Sequence, residues 1–113
     1  MRQLCALIFI CFAFKTTAQI EGYACIYSKN LCGGKTANGK KLDCLALAGA
    51  HRTYALGTQL QVTNLKTKKT IVINIVDRGP FTKKYILDLT PAAAAALGFT
   101  YIEGKAKVRI EKL

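Results

Sequence analysis

The run Thr70-Ile71-Val72-Ile73-Asn74-Ile75-Val76, closed by Asp77-Arg78-Gly79-Pro80-Phe81, constrains this chain more than any other stretch. Side chains branched at Cβ lose freedom in a helix and pack well on a pleated surface, so the run predicts a buried strand. Gly79-Pro80 ends it in a turn. Shorter segments repeat the theme. Gly22 to Tyr27 reads as a strand start and Gln59 to Val62 alternates polar and apolar. Tyr85 to Leu89 is a further strand, and Ala106 to Glu111 directs Ala106, Val108 and Ile110 inward. Asn64 to Lys69 supplies a turn. Strands this short bury a core only by closing on one another. One helix is well signalled: Thr90 caps it, Pro91 takes the first helical position, Ala92 to Leu97 are strong helix formers, and Gly98 stops it. The narrow alanine face suits close packing across a small barrel, and there is no internal repeat or low-complexity linker.

The first residues read as a leader rather than as fold. A basic start, the apolar run Leu4 to Phe14 and the small residue Ala18 predict a secretory signal over 1–18, cleaved after Ala18. Eleven apolar residues fall short of the about 20 that cross a bilayer, so no transmembrane segment is expected. Lipid anchoring at Cys11 is disfavoured because Phe9 and Ile10 before it are bulky. The remaining 19–113 permits one small domain with one core. Its localisation is expected to be the periplasm or cell envelope, or the medium.

Cleavage removes Arg2 and Lys15 from the 17 basic residues and none of the six acids, so the formal charge falls from +11 to +9. Such a field attracts polyanions. For an exported protein that means an acidic cell envelope, with its lactyl and peptide carboxylates, rather than nucleic acid, for which the chain has no recognition helix or aromatic RNA motif. Lys66, Lys68 and Lys69 are read simply as a solvated hairpin tip. Three cysteines remain, Cys25, Cys32 and Cys44, enough for one bridge. Cys32 and Cys44 flank a polar, glycine-containing segment and are the favoured pair, which leaves Cys25 as a small buried hydrophobe. No close Cys-x-x-Cys pair supports zinc, and no cofactor is expected.

Asp77 at the mouth of a strand, with the lone His51 able to fold back beside it, is minimal equipment for acid/base chemistry on a sugar bond. Asp88 lies in a buried-looking strand and is read as satisfying backbone groups or pairing with Arg78. For Asp77 to carry a proton, Arg78 must point away, toward Asp88 or a backbone carbonyl. His51 is expected to hydrogen-bond Asp77 or to hold a sugar hydroxyl. Tyr23, Tyr27, Tyr54 and Phe81 are candidate sugar platforms, although core packing is the commoner fate of such rings.

Gly22-Tyr23-Ala24, Thr36-Ala37-Asn38-Gly39, Ala50-His51-Arg52-Thr53, Leu56-Gly57-Thr58, Val62-Thr63-Asn64-Leu65, Asp77-Arg78-Gly79-Pro80-Phe81, Ile86-Leu87-Asp88-Leu89 and Ala95-Ala96-Leu97-Gly98 fall in the order and spacing of the rare lipoprotein A family, which the chain resembles over nearly all of 19–113. The resemblance implies a mainly β, six-stranded double-psi β-barrel, like that of expansins, with one or two short helices. It also implies lytic cleavage of denuded peptidoglycan strands to a 1,6-anhydro sugar, with Asp77 and His51 catalytic. Lys40, Asn38, Arg78, Tyr54 and Phe81 are then candidate substrate contacts on a monomer. Lys40 departs from the family pattern, where an acid usually follows the glycine; the reversed charge also suits a wall-binding, expansin-like module that grips glycan without cutting it. A second departure is the lack of the C-terminal peptidoglycan-binding repeat domain of many relatives, which leaves septal targeting open.

Overall fold

The structure, a computed structural model, describes residues 18–113. Residues 1–17, which hold nearly all of the expected leader and Cys11, lie outside the described residues. Six strands, one α-helix and a single 3-10 turn at Lys29–Leu31 lie among the described residues; the strands and the helix follow in chain order as β1 (Gln19–Ile26), β2 (Ala48–Ala50), β3 (Gln59–Asn64), β4 (Thr70–Asp77), β5 (Leu87–Leu89), α1 (Pro91–Ala96) and β6 (Lys105–Lys112). They close in the order β1-β5-β2-β4-β3-β6. The β1/β5 and β2/β4 pairs run parallel and the other four antiparallel, the double-psi β-barrel expected from the sequence.

Period-2 alternation decides which side chains fill the interior. Leu60 and Val62, Ile73 and Ile75, Leu87 and Leu89, and Val108 and Ile110 are at most 1% exposed and meet in one core. Each contributes roughly 1.5–3 kcal/mol by leaving water. Ala93, Ala94 and Leu97 of the helical segment close the same core, where methyl-sized side chains allow the helix to lie near β4 and β5. Thr90 Oγ1 accepts the Ala93 N–H as N-cap. At the other end Gly98, at φ +90°, lets its own N–H reach the Ala95 carbonyl and the Phe99 N–H reach Ala94.

β2 is the strand that sequence patterning does not announce. Ala48-Gly49-Ala50 has little strand preference of its own, and it is extended because it lies between β4 and β5. Glycine is needed there, since a Cβ on Gly49 would lie 2.5 Å from the Asp88 carbonyl oxygen. The register shifts between Gly49 and Ala50, which sets Ala50 opposite Asp77 on one side and Asp88 on the other. A second apolar cluster, Tyr27, Leu42 and Ala50, sits beneath the segment between β1 and β2. Among the described residues no helix is long and apolar enough to cross a membrane.

Candidate active site at the barrel rim

Asp77 is the last residue of β4, and its half-buried carboxylate is held from two sides. Tyr27 Oη donates to Oδ2 at 2.8 Å and the Ala37 N–H donates to Oδ1 at 2.8 Å. Tyr27 is 7% exposed, and burial, reinforced by the Asp77 hydrogen bond and the Asp77 and Asp88 charges, pushes its hydroxyl well above the usual range. It therefore stays a donor. A small cavity of about 70 Å³ opens at this point, lined by Tyr27, Leu31, Lys35, Thr36, Leu42 and Asp77 among others. It can seat one substituent group, with the rest of a chain lying outside.

Ala37 is presented by a fastened turn. Lys35 and Lys41 bridge antiparallel, the Thr36 N–H reaches the Lys40 carbonyl, and the Asn38 N–H donates to the Val76 carbonyl, which ties the turn to the end of β4. Asn38 Oδ1 accepts from Thr36 Oγ1 and from the Lys40 N–H, so this oxygen is committed to holding the turn. Lys40 is exposed, with no ion pair among the described residues. Cys32 and Cys44 are bridged, with Cα atoms 5.6 Å apart, and enclose this whole segment.

His51 follows β2 directly, and its main-chain N–H donates to the Asp77 carbonyl oxygen at 3.2 Å. The side chains are arranged differently from one of the two expected roles: His51 makes no side-chain hydrogen bond to Asp77. Its Nδ1 accepts from the Thr53 and Tyr54 N–H groups, both at 3.1 Å, and its ring stacks on Tyr54 at 4.1 Å between centroids. Burial, with the Arg52 and Arg78 charges, lowers the imidazole below its ordinary value. A neutral ring whose Nδ1 lone pair is taken carries its hydrogen on Nε2. His51 is thus equipped to donate from Nε2 rather than to act as a base.

Arg78 points away from the carboxylate, toward backbone carbonyls. Its Nη1 donates to the His51 and Tyr54 carbonyls, at 3.2 and 2.5 Å, and braces the 51–54 loop. Arg52 does the same for the opposite bank by donating to the Thr82 and Tyr85 carbonyls. Tyr54 is half-buried against the core and occupied by His51, whereas Phe81, just past Gly79-Pro80, is 91% exposed and offers an open ring. Tyr23 lines a different groove, which also holds Lys66 and Lys107.

Two residues of this neighbourhood escape sequence reasoning. Asp88 does not pair with Arg78; its Oδ1 accepts from Cys25 Sγ at 2.8 Å, and Cys25 is not a passive hydrophobe. Burial, together with the Asp88 hydrogen bond and charge, pushes the Cys25 thiol up to about 12. Burial also raises Asp88, and the nearby Asp77 charge adds to that shift. Cys25, Asp88, Ala50 and Asp77 are register partners on four neighbouring strands, so the pair underlies the rim. The signal was the alternation itself: with Leu87 and Leu89 inward, Asp88 must face the other way.

The family model described as lytic transglycolase matches residues 19–110. A Synechocystis protein named probable endolytic peptidoglycan transglycosylase RlpA is 44% identical over 77 residues, 68% of this chain and 24% of that one. Its namesake in Treponema pallidum is 40% identical across 81% of this chain and 29% of its own length, and the endolytic peptidoglycan transglycosylase RlpA of Neisseria meningitidis is 38% identical across 81% and 38%. The chain thus spans about a quarter to two fifths of the length of these curated relatives. Among solved structures, a mutant Clavibacter michiganensis expansin in complex with cellohexaose superposes with a TM-score of 0.65 at 24% identity, covering 85% of this chain and 50% of that one. The Streptomyces papain inhibitor superposes at 0.69 and 17%, covering 89% and 99%, a likeness of fold.

Proposed function

The chain belongs to the lytic transglycolase family, in the company of the RlpA endolytic peptidoglycan transglycosylases, and from that membership we propose that it is an exported enzyme that cleaves the β-1,4 bond between N-acetylmuramic acid and N-acetylglucosamine in denuded glycan strands, with Asp77 as its acid/base. The observation that carries this reading is the Asp77 carboxyl group, set beside a cavity at the end of β4, held by Tyr27 and Ala37 and left clear by Arg78.

Lytic cleavage makes two demands on one carboxyl group. Protonated Asp77 gives its proton to the leaving glycosidic oxygen as the C1–O bond breaks; the sugar's own 6-hydroxyl then closes on C1 while its proton returns to Asp77. No water is consumed and the group ends as it began. A hydrolase would instead need a second carboxylate facing the bond. Asp88, half-buried and engaged by Cys25, is poorly suited to that part. His51 Nε2–H donates to a sugar oxygen and orients it, Phe81 supplies an open apolar face, and Lys40 lies free to meet a wall carboxylate.

Purified protein incubated with denuded and intact sacculi is expected to release anhydro-muropeptides detectable by mass, and Asp77→Asn to lose that release by a factor of about 10²–10⁴. The second reading, a wall-binding module, is favoured by Lys40. Pelleting onto sacculi by both proteins with soluble product from neither would select it.

A further inference from the structure

A second, larger groove is lined by none of the residues that line the cavity at Asp77. It has a volume of about 500 Å³, well inside the range of small-ligand sites, whereas the cavity at Asp77 holds about 70 Å³. One wall is the outer surface of β1 and β6, where Tyr23 is the register partner of Lys107 and the Lys105 ammonium lies 4.6 Å from the Tyr23 ring centre. The other wall is the turn before β4, with Lys66 and Thr67, and Glu103 also lines the groove. Along β4, about 23 Å of extended chain runs from Thr70, which follows this turn, to Asp77.

The lysines of the groove, Lys66, Lys105 and Lys107, are exposed and form no salt bridge of their own among the described residues. Glu103 is held ionised by the N–H and hydroxyl of Thr100, helped by the Lys66 charge. Three cations and one anion favour a ligand that carries both signs with the negative in excess; a uniformly anionic polymer would meet the Glu103 carboxylate. Lys105 and Lys107 stand two residues apart on one strand face, roughly 6.6 Å from each other. An extended peptide repeats its side chains on one face at that same interval, so carboxylates at alternate positions match the two lysines.

We propose that this groove binds a short acidic peptide bearing a free amine, with alternate carboxylates on Lys105 and Lys107, a further carboxylate on Lys66, and the ammonium on Glu103. The site is separate from Asp77 and its occupancy does not depend on glycan cleavage. The peptide carboxylates of a cell envelope belong to this chemical class.

The probe is the synthetic peptide Glu-Ala-Glu-Lys, titrated into the uniformly ¹⁵N-labelled protein at low salt. Saturable shifts are expected for the amides of Tyr23, Thr67, Lys105 and Lys107. Lys105→Glu with Lys107→Glu should weaken binding at least tenfold and Lys66→Glu several-fold. Glu103→Gln should weaken this peptide but not its N-acetylated counterpart with Ala in place of Lys, and Asp77→Asn should leave affinity unchanged. Melting curves establish that each variant folds, and the neutral pair Lys105→Gln with Lys107→Gln serves where the reversed pair does not. The proposal is overturned by an absence of saturable shifts, by shifts centred on His51 and Asp77, or by inorganic polyphosphate binding as tightly as the peptide and tightening further in Glu103→Gln.

Discussion

At the scale of single residues the rim works because hydrogen bonds assign each side chain one job. Nδ1 of His51 is committed to two main-chain N–H groups and its proton affinity is lowered by burial and two arginines, so folding demands the neutral ring. A lowered folded value means that the unfolded chain takes up the proton first as pH falls from the ordinary value of 6.5. Stability from His51 is therefore complete above that pH and is lost below it. Thermal melts between pH 7.5 and 5 should show a falling midpoint whose slope is reduced in His51→Gln, where an amide oxygen can still accept from the loop. The place of Asp77 at the end of one strong strand was legible in the sequence, and Arg78 takes the backbone carbonyls, one of the two partners that the sequence left open to it. The Cys25–Asp88 contact was not legible, since it depends on residues 63 apart meeting across β1 and β5. Nor was the commitment of Nδ1, for nothing in Ala50-His51-Arg52-Thr53 distinguishes a ring turned to its own loop from one turned to the neighbouring carboxylate.

At the scale of elements, the site is a junction between a stiff strand and a stapled segment. Closing a loop of this length by a disulfide stabilises a fold by about 3 kcal/mol. Cys32→Ser with Cys44→Ser should lower stability in urea melts by roughly 2–4 kcal/mol. It should also cut glycan release more than Tyr54→Phe does, because the segment places Ala37 on Asp77. β2 is sensitive in a different way. A methyl at Gly49 has no room before the Asp88 carbonyl, so Gly49→Ala should cost at least about 2–3 kcal/mol and weaken the alignment of Asp77 with Asp88, measurable as a lowered denaturation midpoint. β3 and β6 were readable from alternation, β4 from its β-branched run, and the helix from its cap, proline and terminal glycine. β2 was unreadable because three small residues carry no period; its neighbours impose its shape.

At the scale of the whole molecule, charge and closure dominate. An excess of Lys and Arg over acids, spread over a small surface, attracts an acidic matrix, and salt screens that attraction over about 10 Å at 0.1 M. Retention on sacculi should fall several-fold between 0.05 and 0.5 M sodium chloride, as measured by pelleting, while the melting midpoint changes little. The barrel itself was legible through the assembly of motifs more than through any one of them, since strand order depends on pairings distant in sequence. Each strand of the ring has a partner on both sides. Among the described residues no strand is left as a free outer edge of the sheet, so closure removes much of the template on which copies of such a chain would join into fibrils at high local concentration.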